Sequence, residues 1–158
     1  MVSRDDLKSI VILSYLKDEM LDKLLSIVDA MMFHEDETIF KEGDIAERFY
    51  MLKRGKVLLE KRISDEITVS VGSVKAGFSF GWSSMLEGDA YKSDAISADT
   101  CEVFSFRREK IIRLLNEDHS MGYLMNQRLL QVVKKRLDHR TEQFLRAIEH
   151  HPDTEVLF

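Results

Sequence analysis

The 158-residue chain has a single cysteine, Cys101, which excludes an intrachain disulfide framework and fits a reducing compartment. Its neighbours Val103, Phe104 and Phe106 mark it as a buried strand cysteine rather than a reactive thiol. No apolar run is long enough to span a bilayer; the first, Ile10 to Leu13, is far too short. The start, Met1-Val2-Ser3-Arg4-Asp5-Asp6, is charged and lacks the apolar core of a signal segment, so a cytoplasmic location without membrane contact is expected. Positive charge is not in excess either. With 23 Lys+Arg against 28 Asp+Glu the net charge is -5, which argues against a general nucleic-acid surface. The local cluster Lys134, Lys135, Arg136, His139 and Arg140 falls inside a helical repeat and reads as a solvated face.

Catalytic and metal-binding patterns are missing too. The histidines His34, His119, His139, His150 and His151 form no close ligand pair except the terminal His150-His151, which reads as exposed tail, and no strand carries a His-x-His. There is no Gly-x-Ser-x-Gly elbow, no Walker glycine-lysine loop and no kinase signature. Neither enzymatic activity, a catalytic residue nor a metal site is expected. No internal repeat or low-complexity tract appears, and the ending Thr154-Glu155-Val156-Leu157-Phe158 carries no functional reading.

What is present is a soluble, globular composition, 44% hydrophobic and 32% charged, in a length that suits one domain. Leu16, Met20, Leu21, Leu24, Leu25 and Val28 recur at spacings of three and four, predicting an N-terminal helical part over 4–30. From Met31 to Arg107 the pattern becomes short apolar runs: Thr38 to Phe40, Phe49 to Leu52, Val57 to Leu59, Ile67 to Val71, Ala95 to Ala98 and Val103 to Phe106. Turn residues such as Glu42-Gly43-Asp44 and Arg54-Gly55-Lys56 separate them. Ile67, Val69 and Val71 alternate with polar or small residues, as in a strand with one face in a core. Many short strands at regular spacing mean a barrel, roll or sandwich.

Helical periodicity returns over 108–150, first in Ile111, Ile112, Leu114 and Leu115, then in a long helix from about His119 to Ile148. Within it Leu130, Val133, Leu137, Phe144 and Ile148 fall at heptad-like spacings, a dimer-type seam that points to a homodimer. The same stripe would also suit packing on the chain's own strands, and Arg140 and Thr141 interrupt it.

The segment with chemical content is Gly77-Phe78-Ser79-Phe80-Gly81-Trp82-Ser83-Ser84-Met85-Leu86, followed by Tyr91-Lys92-Ser93-Asp94-Ala95. A glycine lets a strand break straight into a short helix whose free N–H groups and dipole attract an anion, and Lys92 adds a full positive charge a loop away. Ser83 and Ser84 either donate to such an anion or cap the turn. Glu87 and Asp89 place negative charge nearby.

These residues, with Ile39-Phe40-Lys41-Glu42-Gly43-Asp44, Arg48-Phe49-Tyr50-Met51-Leu52, Arg54-Gly55-Lys56-Val57 and Cys101-Glu102-Val103, resemble the cyclic-nucleotide-binding domain family, which includes catabolite-activator-type effector domains. The resemblance covers roughly residues 10 to 147. It implies a mainly β fold with flanking helices: a double-stranded, jelly-roll-like β-roll with an N-terminal helix and a long C-terminal helix. The whole of 1–158 then reads as one regulatory domain. It also implies a ligand site at Phe80, Gly81, Trp82, Ser83, Ser84, Lys92 and Ser93. A signal would leave through the long helix, with Leu130, Val133, Leu137 and Phe144 as its dimer face.

Two positions depart from the family pattern. Where the family's glutamate accepts from the ribose stands Trp82, and the arginine that holds the cyclic phosphate looks like Lys92. Losing the charged acceptor removes about 1.5–3 kcal/mol of hydrogen bonding, and Lys92 lacks the planar bidentate fork of arginine. Trp82 either stacks on a flat ligand or plugs a pocket no longer used. The expected ligand is therefore a cyclic nucleotide or another small anion, with no other cofactor. The alternative is a degenerate roll serving as a dimerisation or protein-interaction module, with an unknown downstream protein as partner. Only Glu149 to Phe158 follow the long helix, too few for a helix-turn-helix, so direct DNA binding is not expected.

Overall fold

The computed structural model describes residues 1–150; His151 and the ending 154–158 lie outside the described residues. Ser3 opens the first helix, α1 (Arg4–Lys8), with a reciprocal cap: its hydroxyl accepts from the Asp6 amide at 3.1 Å and the Asp6 carboxylate accepts from the Ser3 amide at 2.9 Å. A 3-10 turn (Val11–Leu13) and α2 (Asp18–Leu25) follow. The N-terminal helical part is therefore shorter and more broken than the expected 4–30. Leu21 and Leu24 form the buried face of α2, which stops at Ser26, where the hydroxyl donates to the Lys23 carbonyl at 2.6 Å. Val28 instead begins a strand, β1 (Val28–Phe33), because residues 28–33 pair in register with Phe106 back to Cys101. Cross-strand pairing outweighs the helical spacing there.

The remaining strands are β2 (Thr38–Phe40), β3 (Arg48–Arg54), β4 (Lys56–Arg62), β5 (Thr68–Lys75), β6 (Ser79–Phe80), β7 (Asp94–Ser97) and β8 (Cys101–Arg107). They form two four-stranded antiparallel sheets, β1-β8-β3-β6 and β2-β7-β4-β5. The roll core between them holds Phe40, Tyr50, Leu52, Val57, Val74, Phe80, Tyr91, Ala95, Cys101 and Val103. Alternation along β3 sends Tyr50 and Leu52 into that core and the fully buried Phe49 and Met51 to the opposite face. At the β4–β5 hairpin end Ile63 and Ile67 are exposed, so the core-facing side of β5 starts later than Ile67 suggested.

The helices are tied to the roll by polar links. The Val11 amide donates to the Gly77 carbonyl at 2.8 Å, and Lys53 on β3 pairs with Asp6 at 3.1 Å. From β8 the chain enters α3 (Arg108–Glu117), with Ile111 and Leu115 buried, and after Asp118 it enters α4 (His119–Glu149). The Asp118 carboxylate accepts from the Met121 amide at 3.0 Å and from Lys23 Nζ at 2.8 Å, capping α4 while bonding to α2. Gly122 is required at this corner. A Cβ there would lie 2.7 Å from the Leu115 carbonyl oxygen.

Residues 1–122 form one compact unit and the chain from Tyr123 onward a second. Along α4, Leu130, Val133, Leu137 and Phe144 are 68%, 47%, 64% and 64% exposed. Among the described residues, no helix is long and apolar enough to cross a membrane.

Candidate ligand site

Strand β6 pairs with β3 through Tyr50↔Phe80 and Met51↔Ser79, and the chain then reverses at Gly81, which adopts φ 76°. Only glycine serves here: the conformation is left-handed, and a Cβ would meet Tyr50 Cδ2 at 3.0 Å and the Arg48 carbonyl oxygen at 3.1 Å. The short helix expected after it is a 3-10 turn, Trp82–Met85. The buried Ser84 hydroxyl donates to the Gly81 carbonyl at 2.7 Å, and the Ser84 amide donates to the same oxygen at 3.1 Å. Of the two roles open to Ser84, the observed one is closing the turn.

Trp82 lies elsewhere than either reading of it required. Its half-buried ring meets Phe49 edge-on, with centroids 5.6 Å apart at 69°. Phe49 faces away from the roll core, so the Trp82 ring packs on the outer face of β3 and fills no space inside the roll. Lys92 is also turned outward. Its side chain is 72% exposed and its ammonium sits 3.0 Å from Asp89 Oδ1. That contact, the Ala90 amide at 2.9 Å and a hydrogen bond from Ser83 hold the Asp89 carboxylate below its ordinary pKa, Lys92 contributing most. Two of the donors expected to attract an anion, Lys92 and Ser83, thus meet a carboxylate of the same loop. Ser93 is half-buried beside them.

The residue that enters the roll from this segment is Tyr91. Its ring stacks on Phe40 with centroids 3.7 Å apart and planes at 12°. Phe40 lies 5.8 Å from Tyr50 and 6.1 Å from Phe80, while Tyr50 and Phe80 stack at 5.1 Å. The Tyr91 hydroxyl donates to the Arg48 carbonyl at 2.6 Å and accepts from the Arg48 amide at 3.1 Å. Burial pushes both the Tyr91 and Tyr50 phenols above their ordinary pKa, so both stay neutral donors.

Three of these rings, Phe40, Tyr50 and Tyr91, line a cavity of about 420 Å³, together with Ile39, Asp44, Ile45, Glu47 and Arg48. The Arg48 guanidinium donates to Asp29 at 2.9 Å and to Ser105 at 2.7 Å. A neighbouring cleft of about 510 Å³ runs past Gly88 and Asp89 to Arg107, Arg108 and Glu109. Among the described residues no group of His, Cys, Asp or Glu is placed to hold a metal ion.

Sequence reasoning missed Tyr91 and Arg48. A signal for Tyr91 existed: Ala95 and Ser97 are the buried residues of β7, and counting back in twos puts Tyr91, not Lys92, inward. Nothing in the spacing marked Arg48.

Two four-stranded sheets, a glycine-turned cassette and helices at both ends place the chain in a class of β-roll domains. The family model for the cyclic nucleotide-binding domain matches residues 31–118, and the chain belongs to that family. It is 31% identical over 124 residues to the Global nitrogen regulator of Nostoc sp., an alignment covering 75% of this chain and 52% of that protein. The chain thus spans about half the length of that relative.

Three solved structures share the fold. A cyclic nucleotide-binding domain from Methylobacillus flagellatus superposes with a TM-score of 0.78 at 20% identity, covering 90% of this chain and 80% of that one. The Thermus thermophilus Catabolite Activator Protein gives 0.72 at 22% identity, over 87% and 63% of the two chains. The regulatory domain of Toxoplasma gondii PKA, crystallised with cAMP, gives 0.70 at 20% identity, over 83% and 48%.

Proposed function

We propose that the chain is a non-catalytic regulatory module in which the 80–93 cassette responds to a small anionic ligand and α4 carries the response outward. Cyclic nucleotides bind the unmodified chain weakly. The observation that supports this reading is Tyr91: its ring lies against Phe40 and its hydroxyl occupies both backbone groups of Arg48. A ligand entering the roll must displace it, and the two backbone hydrogen bonds oppose that displacement. Phe80, Gly81, Ser83, Ser84, Lys92 and Ser93 remain the anion-side contacts once Tyr91 has moved, with Trp82 as reporter rather than partner. The output face is the exposed row Leu130, Val133, Leu137 and Phe144, which requires a second helix to cover it. A second copy of the chain is one such helix.

Titration calorimetry with cyclic AMP, cyclic GMP and cyclic dinucleotides tests this, with the fluorescence of Trp82, the single tryptophan, as an independent readout. The expected result is no submicromolar binding by the unmodified chain and a gain of about tenfold or more, roughly 1.4 kcal/mol, in Tyr91→Arg. That variant clears the ring and offers a bidentate phosphate fork. A submicromolar dissociation constant for the unmodified chain overturns the reading.

A second reading is favoured by the outward Lys92 and its bond to Asp89: a roll filled by its own side chains that serves only as an interaction module. Tyr91→Ala and Tyr91→Arg both remaining silent to every anion tried, with α4 still associating, selects it.

A further inference from the structure

We propose that the cleft of about 510 Å³ where β8 passes into α3 is a second ligand site, built for a small zwitterion: an α-amino acid with an apolar side chain. Arg48 and Arg107 stand opposite each other on β3 and β8, and like charges in that position repel. Asp29 and Ser105 answer Arg48, whereas the Arg107 guanidinium has no partner among the described residues. Arg108, next along the cleft, donates from Nε to the Leu86 carbonyl at 3.4 Å, which leaves its two terminal nitrogens free. Glu47 and Glu109 line the same cleft, and neither carboxylate is ion-paired among the described residues. The Arg108 amide donates to the Glu47 carbonyl at 2.8 Å, so the backbone anchors opposite charges side by side while their side chains stay unpaired. The remaining carboxylate of the cleft, Asp89, is taken by Lys92.

Free guanidiniums and free carboxylates in one concave site set the chemistry of the occupant. An anion satisfies Arg107 and Arg108 but is repelled by Glu47 and Glu109, and a cation fails in the opposite sense. An α-amino acid satisfies both: its carboxylate accepts from the arginines and its ammonium donates to the glutamates. The exposed Ile45, with Ala46 and Gly88, supplies an apolar stretch of wall for the side chain. The volume is that of a small-molecule site and exceeds what a lone ion fills. This goes beyond the anion reading of the cassette, because other charged groups carry it. Glu47 precedes β3 and Arg108 opens α3, so an occupant held by both bridges the roll to α3.

The test titrates the full chain with L-leucine, L-isoleucine, L-valine, L-methionine and L-phenylalanine by calorimetry, with backbone amide chemical shifts to locate the site. The controls are the deaminated acid and the decarboxylated amine of the tightest binder, each of which keeps one charge and the same side chain. At least one amino acid is expected to bind, about tenfold or more tighter than either control, with shifts at Ile45, Gly88 and Arg108. Arg107→Gln and Glu47→Gln are each expected to lose about tenfold or more of that binding. Both side chains are exposed, so each variant is expected to unfold with the unmodified chain in a thermal scan, and Arg108→Gln or Glu109→Gln replaces one that does not. Binding of none of the five at millimolar concentration overturns the proposal. So does equal binding of an amino acid and one of its controls, or a set of shifts confined to the turn at Gly81 to Ser84. Titrations of the Tyr91 variants read the roll and this experiment reads the cleft, so failure of the one is distinguishable from failure of the other.

Discussion

The roll interior and the row on α4 both carry large apolar side chains and treat them in opposite ways. Inside the roll Phe40, Tyr50, Phe80 and Tyr91 are buried on one another, and the Tyr91 hydroxyl is satisfied twice by backbone. On α4 Leu130, Leu137 and Phe144 stand in water beside arginines. Burying apolar area is what stabilises a fold, so the first group contributes to this chain's own stability and the second contributes only when something covers it. Tyr91 is packed inside the roll, and the row on α4 is exposed.

The comparison breaks most visibly in Tyr91→Ala set against Leu137→Ala. Removing the buried ring is expected to cost about 3–5 kcal/mol, and truncating the exposed leucine less than about 0.5 kcal/mol, both read by urea denaturation. Similar costs for the two would mean that Leu137 is covered within the chain. Tyr91→Phe sharpens the contrast. It keeps the stacking on Phe40 and leaves the Arg48 amide and carbonyl without their partner, an expected loss of about 1–3 kcal/mol by the same measurement.

The smallest effect lies at the root of α4. Asp118 is held below its ordinary pKa, chiefly by Lys23 and then by the Met121 amide. A depressed carboxylate stabilises the folded form above its unfolded pKa, and that stabilisation is lost as pH falls through the lower folded value. Protection of the first turn of α4 from hydrogen exchange should therefore fall on acidification below about pH 4 in the unmodified chain, and Asp118→Asn should flatten that dependence. Asp6, Asp22 and Asp89 shift in the same direction, so the difference between the two proteins, not either profile alone, carries the test.

Much of the architecture was legible because it is written in short-range patterns. Turn glycines separate the strands, and the long helix begins and ends within a residue or so of the expected bounds because no proline and, after Gly122, no glycine breaks it. The errors arose where a local pattern met a distant partner. Val28 continues the helical spacing of α2, but six residues from it onward find β8. Trp82 was placed in the roll because it follows Phe80-Gly81. The left-handed turn at Gly81 carries it to the other side of β3, and no local signal gives that direction. Lys92 was preferred to Tyr91 because it carries charge; only the parity of β7 corrects the choice, and its bond to Asp89 depends on how the loop folds back. The apolar row was readable as a seam, whereas its exposure had to be seen.

Gly122 has a mechanical consequence. With space for a hydrogen and not for a methyl against the Leu115 carbonyl, and with the Asp118 amide on Leu114 and the Gly122 amide on Asp118, the corner between α3 and α4 has no slack. Such a joint behaves as a welded elbow, so α3 cannot turn without carrying the root of α4.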